Sequence, residues 1–214
     1  MSKVIRIREM SRRDFGHLIG LGSFGVLSYA SAAHAQEFGI PKTPDASQKR
    51  VNATWRYVGS VYYFEPFGLH VEPGETVQFY NAVSSGRAPT ITAYHPDYGN
   101  RELRIPETAK PFDSGEGMAA AGRAKPGFQI KFDVEGTYDY FSRYEEWAGM
   151  FGRIVVGKPG GPGEKPWGYG NVDGRRVVPP KVAERAKLLN SNDIVKKKSL
   201  SFPYQQFVAP YPLW

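Results

Sequence analysis

GTYDYFSRYEEWAGMFGRIVVG, running from Gly136 to Gly157, reads as strand, loop, strand. Thr137 to Phe141 is β-branched and aromatic, and Ile154-Val155-Val156 is the closing strand, since such side chains pack well on a pleated surface. Just upstream, Phe128 to Val134 alternates apolar and polar residues, the period of a strand with one face in a core. Glu135-Gly136 turns that strand into the next. Further out, Thr54 to Val58 and Val61 to Phe64 are β-prone and separated by Gly59-Ser60. Leu69-His70-Val71 is joined to Thr76 to Tyr80 by Glu72-Pro73-Gly74-Glu75, a type II turn in which the glycine supplies the positive φ. Many short strands with turn signals and little helix predict an all-β chain, a Greek-key β-sandwich. One long connection, Asp97 to Lys125, is expected to carry any local helix.

The ends of the chain read differently. Lys158-Pro159-Gly160-Gly161-Pro162-Gly163 cannot continue a ladder and closes the sandwich. Residues 158–214 are therefore a long Pro/Gly-rich C-terminal extension. Lys181 to Leu189, behind Pro179-Pro180, predicts one short helix in it. The aromatic stretches Phe202-Pro203-Tyr204 and Phe207 to Trp214 are expected to wrap the sandwich, with docking on a partner as the alternative. At the other end, residues 1–35 read as a twin-arginine export signal. Ser11-Arg12-Arg13-Asp14-Phe15 carries the arginine pair, Leu18 to Ala30 the apolar core and Ala33-His34-Ala35 the small-residue cleavage site. The apolar run is broken by Gly20, Gly22 and Gly25 and falls short of the roughly 20 residues that a membrane span needs. The expectation is a periplasmic protein cleaved after Ala35, with no stable span in the mature form. Residues 36–52, with Pro41 and Pro44, read as an N-terminal arm, and residues 53–157 as the sandwich.

Composition narrows the function classes. The full chain of 214 residues carries a net charge of +7, and loss of the export signal lowers it to +4. That is too mild for a nucleic-acid partner, which a concentrated basic face would announce; Lys196-Lys197-Lys198 reads as solvated surface. There is no cysteine, so neither disulfides nor thiolate chemistry is available. Stability must come from packing, for which 14% aromatic residues supply large side chains.

The sequence resembles plastocyanin-like cupredoxins, the blue type 1 copper domains. The resemblance rests on Gly136 to Gly157 together with VEPGETVQFYN (Val71 to Asn81), PTITAYHP (Pro89 to Pro96), RIPETAKPFDSG (Arg104 to Gly115) and PGFQIKFDVEGTYDYF (Pro126 to Phe141). These segments occur in family order and cover roughly half the chain. In the family the strand ending Tyr-Asp-Tyr-Phe delivers a cysteine, the following turn a histidine, and a Gly-Met pair closes the loop; an upstream segment supplies the other histidine. The resemblance places these four ligand positions at Ser142, Glu145, Met150 and Pro89. It implies a degenerate member lacking the copper cysteine and both histidines.

The donor chemistry agrees with that implication. A blue-copper site needs imidazoles and a soft thiolate with a weak axial thioether. Ser142 offers a hard neutral hydroxyl, Pro89 no side-chain donor, and Glu145 a carboxylate suited to hard cations. Once the signal is removed the remaining histidines are His70 and His95. The expected function is a non-enzymatic binding or accessory subunit without a cofactor. It would act on a periplasmic protein partner through an aromatic and acidic patch of Pro89, Ser142, Tyr144, Glu145, Trp147 and Met150, with Tyr144 and Trp147 as anchors. Glu145-Glu146 reads as a solvated acidic edge. The alternative is a copper-binding or electron-transfer protein using replacement ligands His95, Glu145 and Met150, or sharing a site with a partner. No nucleophile-base spacing, phosphate-cradling loop or helical metal motif is present.

Overall fold

The computed structural model describes residues 49–56, 61–82, 88–99, 102–115, 127–169 and 178–207. The expected export signal, the arm as far as residue 48, the Gly59-Ser60 turn, parts of the long connection (residues 100–101 and 116–125) and the terminal residues 208–214 lie outside the described residues. Two sheets face each other. The first has the order β2-β1-β4-β6, with β1 Lys49–Arg56, β2 Val61–Glu65, β4 Glu75–Asn81 and β6 Phe128–Phe132. The second has the order β5-β7-β8-β3-β9, with β3 Gly68–Val71, β5 Thr92–Ala93, β7 Gly136–Phe141, β8 Phe151–Val156 and β9 Ser199–Leu200. β1 pairs in parallel with β4, and β3 in parallel with β8. Parallel neighbours need crossovers, and this chain makes them by changing sheets: β3 leads across to β4, and β6 across to β7. At the crossing from β3 to β4 Gly74 has φ +90° and the Glu75 N–H donates to the Glu72 carbonyl at 3.1 Å, the conformation that the Pro-Gly pair predicts. β1 begins at Lys49 and so runs across the expected arm edge at residue 52.

Period-2 alternation decides which side chains enter the core. From the first sheet come Val51, Ala53, Phe64, Val77, Phe79 and Phe132; from the second, Leu69, Val71, Ala93, Tyr138, Tyr140, Ile154 and Val156. A sandwich of two layers would leave the alternate residues of β7 and β8 to solvent. Instead every residue of both strands is buried. The outer face of the second sheet, including Phe141, Phe151 and Val155, packs with Tyr94, Val182, Leu189, Ile194 and Phe202 in a second apolar cluster. The extension thus forms a third layer. Its described residues hold two short helices rather than one, α1 (Pro180–Ala186) and α2 (Ser191–Lys197), followed by β9 on the sheet edge. The break falls at Lys187 to Asn190, where the Asn190 side chain accepts from the Asp193 N–H at 3.1 Å and starts α2. In the described part of the Asp97 to Lys125 connection there is no α-helix; a 3-10 turn, Pro96–Tyr98, opens it.

A buried ionic cluster fastens the third layer. Asp139 and Arg153 are register partners on β7 and β8 that point outward. Asp139 accepts from Arg153 Nε at 2.7 Å and Nη2 at 2.9 Å, and from Arg104 Nε at 2.8 Å. Arg104 also donates to Glu102 at 3.2 Å and to the carbonyls of Gly163 and Lys165 at 2.8 and 3.1 Å, and lies 3.7 Å over the Trp167 ring. Arg153 reaches Ser191 of α2 at 3.0 Å. Burial works against its charge, and Asp139 outweighs burial, so the pKa of Arg153 is raised.

Candidate functional site

The loop from Ser142 to Met150 joins β7 to β8. Ser142 N–H donates to the Met150 carbonyl at 3.1 Å, and Met150 N–H to the Glu145 carbonyl at 3.1 Å. Between them Glu146–Ala148 form a 3-10 turn ended by Gly149 at φ +82°. This backbone brings three of the singled-out side chains to one end of the sandwich. The Ser142 hydroxyl accepts from the Thr90 N–H at 3.0 Å and donates to the Glu145 carboxylate. Pro89, next to Thr90, is buried as well. Met150 is fully buried in the sandwich core.

A second chain of hydrogen bonds runs alongside. Arg143 N–H donates to Thr90 Oγ1 at 2.9 Å, and the Thr92 hydroxyl donates to Asp113 at 2.9 Å. The two threonine hydroxyls are 3.0 Å apart, so with the Thr92 proton committed to Asp113, Thr90 is the donor between them. Asp113 also receives the Arg143 guanidinium. Thr90, Thr92 and Asp113 do not stand out in the sequence, because nothing in the spacing of residues 90 and 142 shows that they meet across two strands.

The expected acidic edge is not solvated. Glu145 is 8% exposed and Glu146 2%, because the 3-10 turn and the left-handed Gly149 fold both carboxylates inward. Burial, and then the charge of Glu146, raise the pKa of the wholly buried Tyr94 well above the ordinary phenol value. Of the six residues of the expected patch, Pro89, Ser142, Glu145 and Met150 are buried, Tyr144 is partly buried, and Trp147 stands out at 65% exposure. The Lys181 ammonium of α1 lies 5.7 Å from the Trp147 ring. His95 caps its own turn: its Nδ1 accepts from the Asp97 N–H at 3.2 Å, and its ring meets Tyr98 at 6.4 Å. His70 is buried on β3 and its Nε2 bonds the Gly157 carbonyl at 3.0 Å, which leaves Nδ1 as the acceptor facing Lys198 at 3.3 Å. Among the described residues no three His, Asp or Glu side chains are grouped to hold a metal ion, and no helix is long and apolar enough to cross a membrane.

The sequence matches no protein-family model and no curated protein. Solved structures similar to the chain include a pseudoazurin from Sinorhizobium, 19% identical over 71% of this chain and 98% of that one, with a TM-score of 0.46. A plastocyanin from the fern Dryopteris crassirhizoma is 20% identical over 50% of this chain and 98% of that one, TM-score 0.35. A copper-containing nitrite reductase from Thermus scotoductus is 22% identical over 55% of this chain and 24% of that one, TM-score 0.35. Pseudoazurin and plastocyanin are cupredoxins, the family that the sequence resembles. With TM-scores under 0.5 these similarities carry nothing about what this chain binds, and the β-sandwich rests on the strand order and register above.

Proposed function

We propose that the chain is a periplasmic, cupredoxin-like protein that works without type 1 copper, as a non-enzymatic binding or accessory subunit presenting Trp147. The observation that carries this reading is the mutual engagement of the residues at the implied ligand positions. Ser142 holds Glu145 and Thr90, Met150 is packed in apolar core, and Pro89 has no side-chain donor. This donor set does not fit the soft thiolate and imidazole site that copper of this type requires. An exposed tryptophan with a lysine 5.7 Å from its ring is the kind of anchor on which interfaces concentrate their energy.

The first test is to load the purified mature chain with Cu(I) and Cu(II) and measure bound metal and the visible spectrum. The reading expects neither stoichiometric copper nor a thiolate charge-transfer band; stoichiometric copper overturns it. The binding role is tested by affinity capture from periplasmic extract with the wild-type chain and with the Tyr144→Ala/Trp147→Ala variant. Loss of co-purifying protein in the variant is expected, and an unchanged set of partners refutes the role of the patch.

A further inference from the structure

Arg185, on α1, is 5% exposed. Its Nη1 donates to the carbonyls of Tyr62 and Gly149, both at 2.8 Å. Its guanidinium carbon is 4.9 Å from the ring centroids of both Phe202 and Phe207. Among the described residues no carboxylate lies within ion-pair distance of it; burial lowers its pKa to about 10, with the neighbouring Glu184 opposing the shift. It therefore stays charged at any physiological pH.

A buried cation satisfied by carbonyls and ring faces is costly to desolvate, so its geometry is informative. One side chain joins four segments: β2, the turn before β8, α1 and the stretch after β9. The fit at Gly149 is mutual. At φ +82° that position favours glycine, and a Cβ there would lie 3.0 Å from both Cδ and Nε of Arg185. The carbonyl it holds belongs to the residue that ends the 3-10 turn bearing Trp147.

We propose that Arg185 is a positioning residue, the pin through which the C-terminal extension fixes the turn from Arg143 to Gly149 and with it the presentation of Trp147. This regulation rests on the reading of Trp147 as a docking residue, while the pin itself can be tested without a partner. Amide hydrogen exchange is measured on the intact chain and on Arg185→Lys and Arg185→Met. The probes are the amides of Ala148, Gly149 and Met150, which donate within the loop to Glu145 and Glu146. Removing charge-assisted bonds of this kind should speed their exchange by about ten- to hundredfold in Arg185→Met. Arg185→Lys should give a smaller acceleration, because an ammonium keeps the charge but not the guanidinium geometry. Val77 and Phe79 on the central strand β4 should keep their rates. Unchanged loop amides overturn the proposal, as does equal acceleration in the loop and in β4, which would report general destabilisation. If Arg185→Met does not fold, Arg185→Lys decides by the same comparison. A Trp147→Ala chain that retains its partners while the loop amides still respond to Arg185 removes the docking reading and leaves the pin. Loss of partners with unresponsive amides does the reverse.

Discussion

Replacing Asp139 with Asn tests whether the third layer is held by its buried charges. The carboxylate is wholly buried and receives guanidinium N–H groups on both oxygens, from Arg153 at 2.7 and 2.9 Å and from Arg104 at 2.8 Å. An asparagine of the same shape loses the charge and must also turn its NH2 toward a guanidinium donor on one side. Breaking a buried pair by removing one partner costs about 3–5 kcal/mol, since the surviving charge is stranded. Glu102 remains bonded to Arg104, and Glu164 lies 3.7 Å from Arg153, which places the expectation near 3 kcal/mol, the lower end of that range. In urea the midpoint should fall with an unchanged m value, and the melting temperature should drop by roughly 10 °C. Asp133→Asn is the control: its pair with Lys131 is about 60% exposed on both sides and should contribute at most about 1 kcal/mol. A loss below about 1 kcal/mol for Asp139→Asn would refute the reasoning, because it would mean that water reaches the cluster and screens it.

Ser142→Ala leaves the Thr90 N–H and the Glu145 carboxylate without their shared partner in a buried site; a loss of about 1–3 kcal/mol is expected by chemical denaturation. Ile194→Ala empties a fully buried position under α2 and should cost about 2–5 kcal/mol, whereas an extension that only rests on the surface would give almost nothing. Burial first, and then Asp133, raise the Tyr138 pKa to about 12. The folded state therefore holds this proton after the unfolded chain has released it near pH 10. Its contribution is full below pH 10 and is lost as pH rises toward 12, so stability should decline through that window and Tyr138→Phe should flatten the decline; an identical alkaline slope in the variant would count against the assignment.

The sandwich was readable because its inward residues alternate. Phe128 to Phe132 shows the period directly, and Gly74 marks its turn. The third layer was harder. Residues 137–141 and 151–156 are buried on both faces, so an apolar-polar pattern gives way to aromatic and charged outward positions that resemble surface only if each is taken alone. Phe141 and Phe151 were the available signal, since large aromatics on the outward parity of two adjacent strands call for a cover, as in sheets packed on both faces. Asp139 and Arg153 carry no sequence signal of burial, because charged residues are mostly exposed unless paired. At the loop, the chain positions of Ser142, Glu145 and Met150 could be named from the resemblance. Their hydrogen bonds could not, because Thr90 reaches Ser142, and Arg185 the Gly149 carbonyl, from distant segments. The inward turn of Glu145 and Glu146 likewise depends on a 3-10 turn for which the sequence offers only Gly149.

These observations change what a partner could meet at this end of the molecule. Ser142, Glu145 and Met150 lie beneath the surface, tied to Thr90 and to the core. α1 covers one side of the loop and contributes both Lys181 beside Trp147 and Arg185 beneath Gly149. A partner would therefore touch Trp147, the exposed part of Tyr144 and Lys181, and would sense the buried residues only through the turn that carries them. It follows that substitutions at Ser142 and at Trp147 should separate in their effects. The first lowers stability and perturbs the loop. The second, at a position 65% exposed, should leave stability within about 0.5 kcal/mol while removing the proposed anchor.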